Sequence, residues 1–198
     1  MITLFWAPQT RSSRAVWMLE EAAVPYEIRK VDIRAPDRHD EADFRLASPM
    51  GKVPAIIDGD VAMSESAAIC IYVADRYSPG RLAPAPDASE RGRFLYWTLY
   101  TPAVIEPAMS EKLHGIEPDK GRSGWGSFDL MIETLGNTLA GRDWLLGESF
   151  TAADVMVGSS VVFMRLFGML PDSAVLDAYA DRCLSRPAYA KALSLETG

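Results

Sequence analysis

The stretch Val53-Pro54-Ala55-Ile56-Ile57-Asp58-Gly59-Asp60-Val61-Ala62-Met63-Ser64-Glu65-Ser66 decides how this chain is read. Ala55-Ile56-Ile57-Asp58 and Val61-Ala62-Met63 are short β-rich runs flanking Gly59-Asp60, a hairpin-turn signal. An X-Pro bond ahead of such a run, when cis, fixes a turn that leaves the preceding residue's N–H and C=O free to pair with an extended ligand. Both isomers of Val53-Pro54 are open at this point. After the hairpin, Ser64 is expected to cap a helix running to about Tyr77, with Glu65 and Ser66 in its first turn. Free N–H groups and the positive dipole end of such a terminus receive a carboxylate, Ser66 adds a hydroxyl donor, and Glu65 can pair with an ammonium group. An α-amino-acid head would satisfy both charges. The plainer alternative is an ordinary cap at Ser64 and an ordinary dipole-stabilising acid at Glu65.

Upstream of this hairpin, Ile2 to Trp6 reads as a strand, and Ser12 to Ala23 carries Val16, Leu19 and Ala23 at helical spacing. Tyr26 to Val31 alternates as a half-buried strand does, and a mostly polar helix is expected from after Pro36 to about Leu46. The order is therefore βαβα followed by ββα. Prolines and small residues concentrate between Pro79 and Pro86, which predicts a first domain over 1–78, a linker over 79–87 and a second domain over 88–198. Beyond the linker no alternating pattern occurs. Ala88 to Leu113, Ser127 to Leu139 and Ala152 to Phe167 read as helices, so the second domain is expected to be all-α. Thr151 with Asp154 forms a capping-box pattern at the last of these, and Phe150 can staple onto Val155.

The chain has 198 residues, enough to bury a core without disulfides or metals. A formal net charge of −7 argues against a surface built for phosphate backbones or anionic lipid, which excludes nucleic acid and membrane as expected partners. Cys70 and Cys183 stand far apart, outside any metal or disulfide spacing, and both read as packing residues. Reducing cytoplasm is the expected address, since no basic leader opens the sequence and the uncharged run between Asp154 and Arg165 is too short to span a bilayer.

The Val-Pro hairpin, the Ser-Glu-Ser start of the following helix, the two-domain order and the Phe-Thr-Ala-Ala-Asp helix start together resemble the cytosolic glutathione transferases, specifically theta-like and bacterial members of serine or threonine type. The resemblance covers essentially the whole chain. It implies a thioredoxin-like N-terminal domain that binds glutathione and an all-α C-terminal domain that sets specificity. It also implies a homodimer, a role in detoxification and no metal. By the same resemblance Val53, before Pro54, would exchange backbone hydrogen bonds with the cysteinyl unit, while Glu65 and Ser66 would grip the γ-glutamyl head. His39, separated from Gly51-Lys52-Val53-Pro54 by Asp40 to Met50, would contact the glycine carboxylate, with Lys52 adding positive potential beside it.

The loop from Pro8 to Arg14 holds no tyrosine or cysteine, which disfavours members that use those residues. The family's register against Arg14-Ala15-Val16 maps the active hydroxyl onto Thr10, with Ser12 and then Ser13 as alternatives; plain helix capping is the competing role for the serines. A free cysteine thiol titrates near ~8.5, so the protein must favour the thiolate. A hydroxyl at Thr10 or Ser12, the N-terminus of the first helix and Arg11 are the groups available to do so. The resulting expectation is attack of the glutathione thiolate on small hydrophobic electrophiles. Alternatives are isomerase, reductase or ether-cleaving chemistry with the same thiolate, or a ligand-binding homologue without turnover.

Overall fold

The computed structural model describes residues 1–35, 41–119 and 121–196. The chain divides into two compact units, Met1–Leu82 together with Arg186–Gly198, and Ala83–Ser185. The first unit begins β1 (Ile2–Trp6), α1 (Ser12–Ala22), β2 (Tyr26–Lys30), α2 (Ala42–Ala47), β3 (Ala55–Asp58), β4 (Val61–Ser64) and α3 (Ser66–Tyr77). Its sheet has the order β2-β1-β3-β4, with β1 parallel to β2 and antiparallel to β3, and β3 antiparallel to β4. This is the thioredoxin-like arrangement.

Strand alternation sorts the sheet's two faces. Phe5 and Ala55 join Phe44 and Ala47 of α2 in one buried cluster, edged by Val31, Val53, Ile57 and Ala62. Leu4 and Ile56, paired in register, point to the opposite face and are fully buried. On α1, Ala15, Val16, Met18 and Leu19 are buried, as are Ile69, Cys70 and Val73 of α3, and the two helices pack against each other. Burial of this order is worth roughly 1.5–3 kcal/mol for each large aliphatic or aromatic side chain.

The second unit contains α4 (Arg91–Tyr100), a π-helical turn over Thr101–Ile105, α5 (Glu106–His114), α6 (Phe128–Leu139), α7 (Ala152–Leu166) and α8 (Ala174–Leu184). The single helix expected from Ala88 to Leu113 is therefore interrupted in its hydrogen bonding. Pro102 and Pro107 lack N–H groups, and the Glu106 N–H reaches back to the Thr101 carbonyl, five residues before it. At the start of α7, Asp154 Oδ2 accepts from the Thr151 N–H at 2.9 Å and the Thr151 hydroxyl at 3.2 Å, while Oδ1 accepts from Leu145 N–H and the Tyr179 hydroxyl, each at 3.0 Å. Burial pushes the Asp154 carboxyl up to about 6, against these four donated bonds.

The last helix, α9 (Pro187–Ser194), belongs with the first unit and not with the helical domain over 88–198 that the sequence predicts. It packs on α1: Glu21 accepts from Arg186 Nε at 2.5 Å and Nη2 at 2.7 Å, and Trp17 meets Tyr189 edge-on at 4.8 Å. No helix among the described residues is long and apolar enough to cross a membrane.

Candidate functional site

Strand register carries three sequence-distant segments to one end of the four-stranded sheet. Phe5 pairs with Ala55, and Ala55 with Ser64. The loop leaving β1, the run entering β3 and the start of α3 therefore share one end. Asp58 pairs with Val61 beside the Gly59-Asp60 turn at the other.

Val53-Pro54 is a cis peptide bond. Val53 is half-buried, and among the described residues neither its N–H nor its carbonyl has a hydrogen-bond partner. The loop before it is held from below by Ser48, which is fully buried. The Ser48 hydroxyl accepts from the Lys52 N–H at 2.8 Å and donates to the Lys52 carbonyl at 2.7 Å, and the Gly51 N–H donates to the Ser48 carbonyl at 2.8 Å. Gly51 sits at φ 61°, in the left-handed region that glycine enters without a Cβ clash. Sequence reasoning missed Ser48, although a serine ahead of Pro49 in a turn was a readable signal. The Lys52 side chain is exposed at this edge.

The helix after the hairpin begins one residue later than expected, and Ser64 does not cap it. Ser64 pairs with Ala55 as the last residue of β4, and Glu65 takes the N-cap position without a side-chain cap bond. Glu65 has φ 73° and ψ 116°, a sparsely populated conformation for a residue with a Cβ, and its exposed side chain faces no internal demand at the cap. Its carbonyl accepts from Ile69 N–H at 2.9 Å. Ser66 is only 7% exposed, yet its hydroxyl has no hydrogen-bond partner among the described residues. The helix start thus combines uncapped N–H groups with an uncommitted hydroxyl and an outward carboxylate.

The three candidate hydroxyls lie in one turn after β1 but differ in access. Thr10 is half-buried; its Oγ1 lies 2.7 Å from the Ala7 carbonyl and 2.9 Å from Ser12 Oγ, and it accepts from the Ser12 N–H at 3.1 Å. Ser12 is fully buried, with its Oγ 3.4 Å from the Ala7 N–H. Ser13 is half-buried and donates to the Thr10 carbonyl at 3.1 Å. Arg11 is exposed and occupies the N-cap position of α1. His39 lies outside the described residues.

Cys70 and Cys183 are both fully buried free thiols. Burial pushes the Cys70 thiol up to about 12, with Arg14 opposing, so it is protonated and inert at neutral pH. Among the described residues no cluster of three or more His, Cys, Asp and Glu side chains could hold a metal ion.

Residues 10–76 match the family model for the glutathione S-transferase N-terminal domain. The chain is 31% identical over 178 residues to Glutathione S-transferase 3 of Schizosaccharomyces pombe, covering 78% of this chain and 70% of that protein. It is 27% identical over 207 residues to the disulfide-bond oxidoreductase YfcG of Escherichia coli, covering 98% and 94% respectively. Among solved structures, a glutathione transferase from Methylococcus capsulatus shares the fold with a TM-score of 0.82 at 24% identity, over 100% of this chain and 99% of that one. A sphingomonad glutathione S-transferase complexed with glutathione matches with a TM-score of 0.79 at 28% identity, over 98% of each chain.

Proposed function

Because this chain belongs to the glutathione S-transferase family, we propose that the end of the sheet carrying Thr10, Val53-Pro54 and Glu65-Ser66 binds glutathione and activates its thiol. The observation that carries this reading is the start of α3, where the Ser66 hydroxyl and the uncapped N–H groups have no partner among the described residues. The γ-glutamyl carboxylate sits on the Ser66 hydroxyl and the first helical N–H groups, and its ammonium pairs with Glu65. The cysteinyl backbone pairs with the Val53 N–H and carbonyl as an added strand would. Lys52 supplies positive potential for the glycine carboxylate, and His39 adds to it.

Thr10 is the hydroxyl we assign to the sulfur. Full burial removes Ser12 from contact with a ligand, and the Ser13 proton is committed to the Thr10 carbonyl. On arrival of the thiol, the Thr10 proton turns from the Ala7 carbonyl toward the sulfur, while the positive end of α1 and Arg11 favour the thiolate. The thiol proton leaves to solvent. The thiolate then attacks an electrophilic carbon of a small hydrophobic substrate, forming a C–S bond as the leaving group departs with the C–X electron pair. The same reading includes a homodimeric, cytoplasmic, detoxifying enzyme.

The likeness to YfcG favours a second reaction at the same site, in which the thiolate attacks a disulfide sulfur and a second glutathione resolves the mixed disulfide to glutathione disulfide. A calorimetric titration with glutathione, followed by turnover with aryl halides and with a small disulfide, tests both. Conjugation consumes glutathione without producing its disulfide, whereas reduction produces it. No binding at millimolar glutathione would end both readings.

A further inference from the structure

The C-terminal helix does more than cover α1. Three contacts between them have nearly constant residue-number sums: Glu21 with Arg186, Trp17 with Tyr189, and Gln9 with Glu196. That constancy describes antiparallel docking along the whole of α1, from its C-terminal turn to the loop ahead of its first residue. At the loop end the Gln9 N–H donates to Glu196 Oε2. Glu196 Oε1 is buried and without a hydrogen-bond partner among the described residues. Gln9 itself sits at φ 54°, a left-handed conformation that glutamine seldom adopts unless its surroundings impose it.

From this geometry we infer that Glu196 is a positioning residue for the thiol-activating loop: its carboxylate holds the Gln9 backbone N–H and so fixes the turn that presents the adjacent Thr10 hydroxyl. The inference rests on the glutathione-site reading above. The Thr10 side chain is tethered to the Ala7 carbonyl after β1 and to Ser12 at the start of α1, and the Thr10 carbonyl to Ser13. None of these bonds fixes the peptide unit entering Gln9. The Glu196 carboxylate acts on that unit, from outside the loop. A carboxylate accepting a backbone N–H is a charge-assisted bond, stronger than a neutral one. Its negative charge does not itself favour a thiolate. The contribution is therefore geometric, and a neutral side chain that keeps an acceptor oxygen at the same reach should preserve it.

Glu196→Ala and Glu196→Gln in the full-length chain separate these effects. The expected result for Glu196→Ala is a roughly tenfold fall in kcat and an upward shift of the bound glutathione thiol titration, read by thiolate ultraviolet absorbance, with glutathione affinity within about twofold of wild type. Glu196→Gln should restore both readouts. The Gln9 amide, followed by NMR in the ligand-free protein, should lose its downfield position and exchange protection in Glu196→Ala and retain them in Glu196→Gln. An unchanged thiol titration in Glu196→Ala, or a Gln9 amide indifferent to the substitution, would overturn the inference. So would a Glu196→Gln protein as impaired as Glu196→Ala. Absence of glutathione binding in the wild type instead defeats the underlying site reading, while the Gln9 amide still reports the contact itself.

Discussion

Two helix starts in this protein solve the same physical problem in opposite ways. At α7, four donors close on a buried carboxylate, and Thr151 accepts from the Ala153 N–H at 3.3 Å, so the terminus is satisfied from within. At α3, the cap residue Glu65 turns its side chain outward from a strained backbone, and the Ser66 hydroxyl has no partner among the described residues. Orphan N–H groups at a helix start demand an acceptor. Where the chain supplies one the terminus serves folding; the terminus where it supplies none is the one we propose for the ligand.

Breaking the closed terminus should have the largest effect. Asp154→Ala leaves the Leu145 and Thr151 N–H groups and the Tyr179 hydroxyl buried without their acceptor, and should destabilise by about 3–5 kcal/mol in chemical denaturation. The sign of its pH dependence follows from burial. The folded-state pKa of Asp154 is raised to about 6 from 3.8, so its stabilising contribution is full below pH ~4 and declines as pH rises to about 6, by roughly 3 kcal/mol. The stability difference between wild type and Asp154→Asn, followed across that window, should show this decline; a flat difference would contradict it.

Breaking the open terminus should spare the fold and remove the ligand. Ser66→Ala is expected to weaken glutathione binding about tenfold, or about 1.4 kcal/mol, with an unchanged melting temperature. Thr10→Ala should lower kcat roughly tenfold to a hundredfold while leaving glutathione affinity near wild type. Ser12→Ala, at a fully buried hydroxyl, should act mainly on stability. The smallest effect sharpens the contrast most. Glu65→Gly relieves the φ 73° conformation and should stabilise by about 1 kcal/mol while weakening glutathione binding. Gain of stability with loss of affinity would mark the strain as serving the site.

Much of this was legible in the sequence for identifiable reasons. Tyr26 to Val31 alternates as a half-buried strand does, and β1, β3 and β4 are short apolar or β-rich runs beside turn signals, so all four strands are legible as local pattern near their observed bounds. The Thr151–Asp154 box is local and was readable for the same reason. Ser64 misled because a serine before a helical run is the usual cap signal, whereas here the hairpin pairing with Ala55 claims it for the strand. The docking of α9 on α1 was hidden because it depends on an ion pair between residues 21 and 186, which no local pattern encodes. The order Thr10, Ser12, Ser13 comes from the resemblance alone; what no local pattern encodes is that Ser12 is fully buried while Thr10, in the same short turn, is half-buried.

The most direct test of the central claim is a crystal structure of this protein with glutathione. The expected ligand is an extended tripeptide whose γ-glutamyl head lies on Ser66 and Glu65, whose backbone pairs with Val53, and whose sulfur lies within hydrogen-bonding reach of Thr10 Oγ1. Glutathione bound elsewhere, or with its head turned away from the start of α3, would contradict the claim.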